Sequence, residues 1–221
     1  MGITMVKHPV VIAGSILAMF AVAGSTLVAF THEFTKDRIA ANERETLLRS
    51  LRTMVPSNTV DNDMTSDILV VNNPEMLGNS QTAVYRGRLM GQPVATVLTS
   101  VVPGGYSGPI KLLVAVRYDG TLGGVRVISH KETPGLGDKI EESRSDWIYS
   151  FDNKSLNDPK LQDWKVKRDG GIFDQFTGAT ITPRSIVEAV KKTLLYVKDN
   201  RDALYDKKAA SDPEPQGNKK P

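Results

Sequence analysis

Cysteine is absent from the whole chain of 221 residues, and histidine occurs only three times. Without thiolates the chain has no cysteine-ligated iron–sulfur cluster, no haem attached through a CxxCH motif and no thiolate zinc site. Disulfides are excluded too, so cysteine usage does not indicate the redox compartment. His8 and His32 lie at opposite ends of a long apolar run, which leaves only His130 and Glu132 as a possible start of a metal site. We therefore predict no metal centre.

Several nucleotide-site and hydrolase motifs are also missing. There is no GxxxxGK[ST] sequence and no GxSxG sequence, and the segment PGLGDKI has Ile140 where a dinucleotide fingerprint needs its third glycine. The net charge is only +3, and acidic and basic residues are interspersed. A nucleic-acid-binding protein would show a clustered basic stripe, so we expect no nucleic-acid partner.

A long uncharged segment is present near the N-terminus. The 23 residues from Pro9 to Thr31 contain no charged side chain, and a helix rising about 1.5 Å per residue would cross a hydrocarbon core about 30 Å thick. A cleaved signal peptide has a shorter apolar region of about 7–15 residues. We predict a retained transmembrane helix at about 9–31 within an N-terminal segment 1–31. Lys7 before the span and Lys36 and Arg38 after it do not decide the orientation.

Residues 32–80 are predicted to be a helical and irregular connector. The part from 33 to 54 has a narrow apolar stripe at helical spacing and ends before Pro56. The rest is polar, apart from a short apolar run at 68–71.

A domain at 81–205 is predicted to begin with two β-hairpins. Asp119–Gly120 is the strongest turn signal, and Gly91–Gln92 separates the two earlier β-favouring runs. Glycine-rich loops at 103–109 and 132–137 follow the second and fourth strands. Antiparallel hairpins followed by helices define a mixed α+β class. The predicted strands are 82–90, 93–102, 110–118 and 124–130.

Two helices are predicted after the strands. The first begins with Asp138 as its N-cap and Glu141 completing a capping box, and it places Ile140, Trp147, Ile148 and Phe151 on one face. A DGG sequence at 169–171 indicates a turn. The last helix runs from about Pro183 to Tyr205, with a buried stripe made of Ile186, Val187, Val190, Leu194 and Val197. The tail at 206–221 is predicted to be disordered because its end lacks apolar residues.

The segment that precedes the last helix, TGATITP at 177–183, has the residues of a phosphate site. Thr182 followed by Pro183 is typical of an N-cap and first helical residue. Unpaired N–H groups and the positive end of the helix dipole favour an anion there. From the residues alone, a capped helix start without any ligand is the favoured interpretation, and a phosphate site is the alternative.

A resemblance to a known family changes this balance. TGATIT resembles the flavinylation pattern of covalent-FMN domains, which has Ser or Thr, Gly, Ala, Thr, any residue, and Ser or Thr. The chain looks like the G subunit of Rnf-type electron-transport complexes and is similar to the C subunit of the sodium-pumping NADH:quinone reductase. The resemblance covers nearly the whole chain: an N-terminal span, the glycine loop at 104–108, the ETPGLG loop and the TGAT helix start occur in the same order.

The resemblance implies that Thr180 carries FMN through a phosphoester bond, which a separate flavin transferase forms from FAD with the help of a metal ion. No His or Cys adjoins Thr180, so we expect the transferase to supply the base. The flavin ring and its ribityl chain are expected to contact the two glycine-rich loops, and Lys139 would offset negative charge. The expected cofactor-binding residues are Thr177, Gly178, Ala179, Thr180, Thr182, Gly105, Tyr106, Ser107, Glu132, Thr133, Gly135, Leu136 and Lys139.

The function that the resemblance implies is electron relay without independent turnover. The chain would be a single-pass component of an ion-translocating oxidoreductase in the bacterial inner membrane, with its FMN domain in the periplasm and the other subunits as partners. Electrons would pass between ferredoxin-level carriers and NAD. Two alternatives stay open: a membrane-anchored flavin-based redox sensor, and an anchored binding module without a covalent cofactor.

Overall fold

The computed structural model describes residues 9–206 and divides into two compact units, one ending at Glu45 and the other beginning at Thr46. A single α-helix, α1 (Pro9–Met54), runs without a break from the predicted span into the first part of the predicted connector. Its apolar side chains between 11 and 30 are exposed, and in the described part of the chain it is the one helix long and apolar enough to cross a membrane. Most of the predicted disordered tail, residues 207–221, lies outside the described residues.

A five-stranded antiparallel sheet forms the centre of the second unit. Each strand pairs with the next one along the chain, in the order β1-β2-β3-β4-β5, so short connections suffice. This confirms the predicted α+β class with antiparallel hairpins. The strands are β1 (Ile68–Val71), β2 (Thr82–Leu89), β3 (Gln92–Val102), β4 (Ile110–Arg117) and β5 (Leu122–Ser129).

The first strand comes from the predicted connector. The run Ile68–Val71 pairs with β2 at the edge of the sheet, with Ile68 opposite Tyr85 and Val71 opposite Thr82. A run of four residues is too short to show the alternation that identifies a strand. Part of the segment between 32 and 80 therefore belongs to the sheet.

Two tight turns set the strand register. Asp119 and Gly120 form the β4–β5 turn as predicted, and the carboxylate of Asp119 accepts a hydrogen bond from the Thr121 N–H at 2.8 Å. In the β2–β3 turn the two central residues are Met90 and Gly91, with φ of 50° and 74°. The turn therefore begins one residue before the predicted Gly91–Gln92 pair.

Both faces of the sheet are covered. The helices α3 (Ile181–Asp199) and α4 (Arg201–Tyr205) lie on one face, together with the short α2 (Pro74–Leu77). A break at Asn200 divides the predicted last helix into α3 and α4. On the other face lie Leu51, Met54 and Met64. The predicted apolar stripe of the last helix is confirmed, because Ile186, Val187, Val190, Leu194 and Val197 are all at most 4% exposed.

The predicted helix beginning at Asp138 is wrong. Two short 3-10 helices replace it, at Gly137–Ile140 and Asp146–Phe151, and Asp138 lies inside the first of them rather than at its N-cap. Ser145 is extended and accepts a hydrogen bond from the Trp147 N–H at 3.2 Å, so it starts a new turn. Two further 3-10 helices follow, at Leu161–Asp163 and Lys167–Asp169, and Gly170 ends the last one with φ of 83°, in the predicted DGG turn.

Aromatic packing holds this irregular segment in place. Phe151 stacks on Phe173 with ring centroids 4.7 Å apart, and Trp147 meets Phe176 edge-on at 5.1 Å. The indole N–H of Trp147 donates to the Asp174 carbonyl at 2.8 Å. This aromatic layer lies immediately before the TGAT segment in the chain and supports the approach to α3.

Candidate functional site

A small cleft of about 150 Å³ opens at the N-terminal end of α3. Three loops form it: the loop between β3 and β4, the loop after β5, and the segment that leads into α3. The sheet order places the first two side by side, because β3, β4 and β5 are neighbours. The lining residues are Tyr106, Glu132, Thr133, Leu136, Gly137, Gly178, Ala179, Thr180 and Ile181.

Thr180 occupies the N-cap position of α3, with φ −85° and ψ −21°. A threonine at an N-cap commonly bonds an N–H of the first turn, but the side chain of Thr180 makes no such bond. Its half-buried hydroxyl therefore remains available at the cleft. The first N–H groups of a helix lack acceptors within the helix, and Pro183 has no N–H to contribute. The N–H groups of Thr180, Ile181 and Thr182 are those that an anion could use.

The predicted capping role of Thr182 is wrong. Because α3 begins at Ile181, Thr182 is its second residue and Pro183 its third. Thr182 is fully buried, and its hydroxyl donates a hydrogen bond to Oε2 of Glu132. The two threonine hydroxyls at this helix start thus differ: that of Thr182 is occupied inside the protein, and that of Thr180 makes no capping bond.

Glu132 connects the walls of the cleft. Its side chain is buried, at 5% exposure, and Oε1 accepts the Ser107 N–H at 3.0 Å. The backbone N–H of Glu132 donates to Nδ1 of His130 at 2.9 Å, and Nε2 of His130 lies 2.6 Å from Oε1 of Glu141. An Nδ1 that accepts leaves Nε2 as the protonated nitrogen, which donates to Glu141.

Glycines provide the room that the Glu132 carboxylate occupies. A Cβ added to Gly137 would lie 2.6 Å from Oε2 of Glu132, and one added to Gly105 would lie 3.0 Å from Oε1 and 2.1 Å from the Gly108 carbonyl oxygen. On the opposite wall, Gly178 has φ of 82°, a conformation that favours glycine. The backbone therefore passes close to the carboxylate on two sides.

The rim of the cleft exposes large apolar groups. Tyr106 is 69% exposed, Leu136 43% and Ile181 44%. Exposed apolar side chains around one opening provide a surface on which a flat aromatic ring could rest.

None of the described residues that line the cleft carries a positive charge, and Arg184 is not among them. Arg184, in the first turn of α3, donates to both carboxylate oxygens of Asp169, at 2.6 and 2.9 Å. These hydrogen bonds hold the pKa of the exposed Asp169 carboxyl below its ordinary value and raise the pKa of Arg184. Lys139, which the resemblance associates with the cofactor, is exposed and is not among the lining residues.

The predicted residues fall into three groups. Seven of them line the cleft: Tyr106, Glu132, Thr133, Leu136, Gly178, Ala179 and Thr180. Gly105, Ser107 and Thr182 lie behind the lining, around the Glu132 carboxylate. The lining does not include Thr177, Gly135 or Lys139. Sequence reasoning missed Gly137 and Ile181 as lining residues and the role of His130, although Gly137 lies in the ETPGLG loop and Ile181 in the TGATIT segment.

Comparison with known proteins agrees with this geometry. A family model described as "FMN-binding domain" matches residues 105–195, which contain every residue that lines the cleft. A second model, "RnfG N-terminal region", matches residues 3–54. The fold and site thus define a protein in which an FMN-binding domain follows an N-terminal apolar helix along the chain.

Whole-chain relatives narrow the class. The G subunit of an ion-translocating oxidoreductase complex from Pseudoalteromonas atlantica is 48% identical over 193 residues, covering 87% of this chain and 90% of the relative. The corresponding proteins of Vibrio atlanticus and Pseudomonas aeruginosa are 46% and 47% identical, each covering 86% of this chain and 91% and 89% of the relative. The chain belongs to this family, the G subunits of ion-translocating oxidoreductase complexes.

Proposed function

We propose that this chain is an electron-relay flavoprotein within a membrane-bound, ion-translocating oxidoreductase complex of the Rnf type. In this proposal it carries FMN bonded through phosphate to Thr180 and takes part in electron transfer between ferredoxin-level carriers and NAD, coupled to ion transport. The names of the relatives and the FMN-binding domain model support the assignment to a redox complex.

The observation that supports Thr180 as the attachment site is that its hydroxyl makes no capping hydrogen bond. It lies on the cleft at a helix start with available N–H groups, where a phosphate is stabilised by hydrogen bonds and the helix dipole. The neighbouring Gly178 and Ala179 add little bulk on that side. The residues present therefore fit an FMN phosphate next to Thr180, and the apolar side chains of the rim would be the ones to contact the ring.

The size of the cleft favours covalent attachment. Its volume of about 150 Å³ is well below the roughly 300–1,000 Å³ typical of pockets that enclose small molecules. A flavin held here would remain partly exposed, so non-covalent contacts alone would retain it weakly. A covalent bond keeps the cofactor in place, and exposure of the ring allows close approach of redox partners.

The proposed attachment step is a phosphoryl transfer from FAD that releases AMP. The Thr180 oxygen forms a bond to the phosphorus on the FMN side of the pyrophosphate, the bond from that phosphorus to the bridging oxygen breaks, and AMP leaves. The hydroxyl proton passes to a base of the flavin transferase, since among the described residues no histidine lines the cleft. Once bound, FMN supplies the redox chemistry, and the protein supplies position and surroundings.

Replacement of Thr180 tests the proposal. Full-length protein from host membranes should stay fluorescent under ultraviolet light after denaturing electrophoresis, and mass analysis should place an FMN phosphoester on Thr180. We expect Thr180→Val to lose the fluorescence and Thr180→Ser, the matched control that keeps a hydroxyl, to retain it. An unmodified Thr180 in protein from its own host would contradict the covalent linkage. Isolation without other membrane subunits would favour the sensor alternative.

A further inference from the structure

We propose that Glu132 is a positioning residue for flavin attachment: its carboxylate fixes the first turn of α3 against the β3–β4 loop and so holds the Thr180 hydroxyl at the cleft. This inference rests on the proposed attachment of FMN to Thr180. It differs from the role that the resemblance implies, in which Glu132 lies against the flavin ring.

The Glu132 carboxylate connects the loops that form the cleft. One carboxylate joins two segments that are distant in sequence, through Ser107 on one side and Thr182 on the other. Its own backbone N–H is held by His130. Three loops that each contribute lining residues therefore meet at a single buried group.

Burial makes the two hydrogen bonds of the Glu132 carboxylate costly to lose. In the described part of the chain Glu132 takes part in no salt bridge. The two hydrogen bonds from Ser107 and Thr182 therefore have to offset the free-energy cost of burying its carboxylate. Leaving one bond of a buried charged group unmade costs about 1–3 kcal/mol or more. The close approach of Gly105 and Gly137 limits how far the carboxylate can shift to find another donor. Loss of either donor should therefore move the loops or the helix start.

The bond from Thr182 to Glu132 also restricts the neighbouring Thr180. Thr182 follows Thr180 by two residues in the same helical turn, so an anchor on Thr182 restricts the direction in which the Thr180 hydroxyl points. The fold does not depend on this anchor alone. The Ser185 hydroxyl donates to the Gly104 carbonyl at 2.7 Å and ties the same loop to the next part of α3. Breaking the Glu132–Thr182 bond should therefore misplace Thr180 without detaching the helix.

The test measures attachment kinetics on the purified full-length chain in detergent, with purified flavin transferase, FAD and Mg²⁺. Thr182→Val removes the hydroxyl at nearly constant volume, and Thr182→Ser is the matched variant that keeps it. We expect Thr182→Val and Glu132→Leu to lower kcat for covalent incorporation by about tenfold or more, the equivalent of one buried hydrogen bond. The KM for FAD should change little. Thr182→Ser should stay near the wild-type rate.

Two outcomes would overturn the inference. One is a wild-type rate in both Thr182→Val and Glu132→Leu, and the other is an equal loss in Thr182→Ser and Thr182→Val, which would indicate packing rather than the hydroxyl. Thermal unfolding identifies variants that fail to fold, and if Glu132→Leu is among them, Glu132→Gln takes its place, because a single amide oxygen leaves either the Ser107 N–H or the Thr182 hydroxyl without its acceptor. Failure of the wild type to acquire flavin at all would instead contradict the proposed function.

Discussion

Two buried arginines on β2 are joined by one carboxylate. Arg86 is 1% exposed and its Nε donates to Oδ1 of Asp67 at 2.7 Å, while Nε of Arg88 donates to Oδ2 at 2.8 Å. A terminal N–H group of Arg86 donates to the Asp206 carbonyl oxygen at 2.8 Å, and one of Arg88 donates to that of Tyr205 at 3.0 Å. Asp67 therefore ties the residue before β1 to β2, and the two arginines in turn tie β2 to the end of α4.

Removing this carboxylate should be costly. We expect Asp67→Asn to lower the free energy of unfolding by about 3–5 kcal/mol, because it removes the carboxylate that both buried guanidinium groups share. Chemical denaturation of the full chain in detergent, followed by tryptophan fluorescence, measures this, since both tryptophans are buried in the second unit. Glu188→Gln, which breaks the more exposed pair with Lys191, is the control and should cost about 0.5 kcal/mol or less. Equal losses would contradict the role of Asp67.

At the scale of secondary structure, the turn of the β2–β3 hairpin holds Met90 in a backbone conformation that methionine disfavours. Positive φ at both Met90 and Gly91 defines a turn in which asparagine followed by glycine is preferred. Met90 is 86% exposed, so its side chain adds little packing, and its N–H donates to Oδ2 of Asp61 at 2.7 Å. Asparagine would keep this N–H and tolerate the left-handed conformation.

We therefore expect Met90→Asn to raise the free energy of unfolding by about 1 kcal/mol, because asparagine avoids part of the cost that other non-glycine residues have in the left-handed conformation. Met90→Val should lower it, because a β-branched side chain resists positive φ more strongly. The same denaturation experiment measures both. A destabilised Met90→Asn variant would show that Met90 makes a contribution other than its backbone conformation.

The hairpins were predictable because turn chemistry is local. Asp119–Gly120 specifies its turn from two residues, and the strands around it carry enough β-branched residues to be recognised. The prediction of a helix beginning at Asp138 was wrong because the conformation there depends on residues that are distant in sequence. Its capping pattern is local, but the burial of Trp147 and Phe151 among distant aromatic residues decides the conformation, and it selects separate 3-10 turns.

The same distinction applies to the site. Thr180 and the two glycine-rich loops were predictable because their motifs are contiguous in the sequence. The partner of Thr182 was not, because Glu132 lies 50 residues earlier and meets it only when the loop after β5 packs against the start of α3. Thr182 consequently looked like a cap, although a distant carboxylate occupies its hydroxyl.

On the scale of the whole molecule, the remaining question is which side of the membrane the flavin domain faces. The charges flanking the apolar part of α1 do not decide it, because Lys7 precedes the span and Lys36 and Arg38 follow it. We propose a periplasmic domain on the basis of the resemblance to Rnf-type complexes. The absence of cysteine makes this directly testable, since any introduced cysteine is the only thiol in the chain.

Gln162→Cys places a thiol on an exposed residue of the second unit, and Thr4→Cys places one before the span. With a membrane-impermeant maleimide added to intact spheroplasts, we expect Gln162→Cys to be labelled at once and Thr4→Cys only after the membrane is permeabilised. The reversed pattern would place the domain in the cytoplasm and would restrict its electron partners to that side. Labelling of both variants without permeabilisation would instead mean that the apolar part of α1 does not separate the two positions, because a span of about 20 apolar residues keeps its ends on opposite sides.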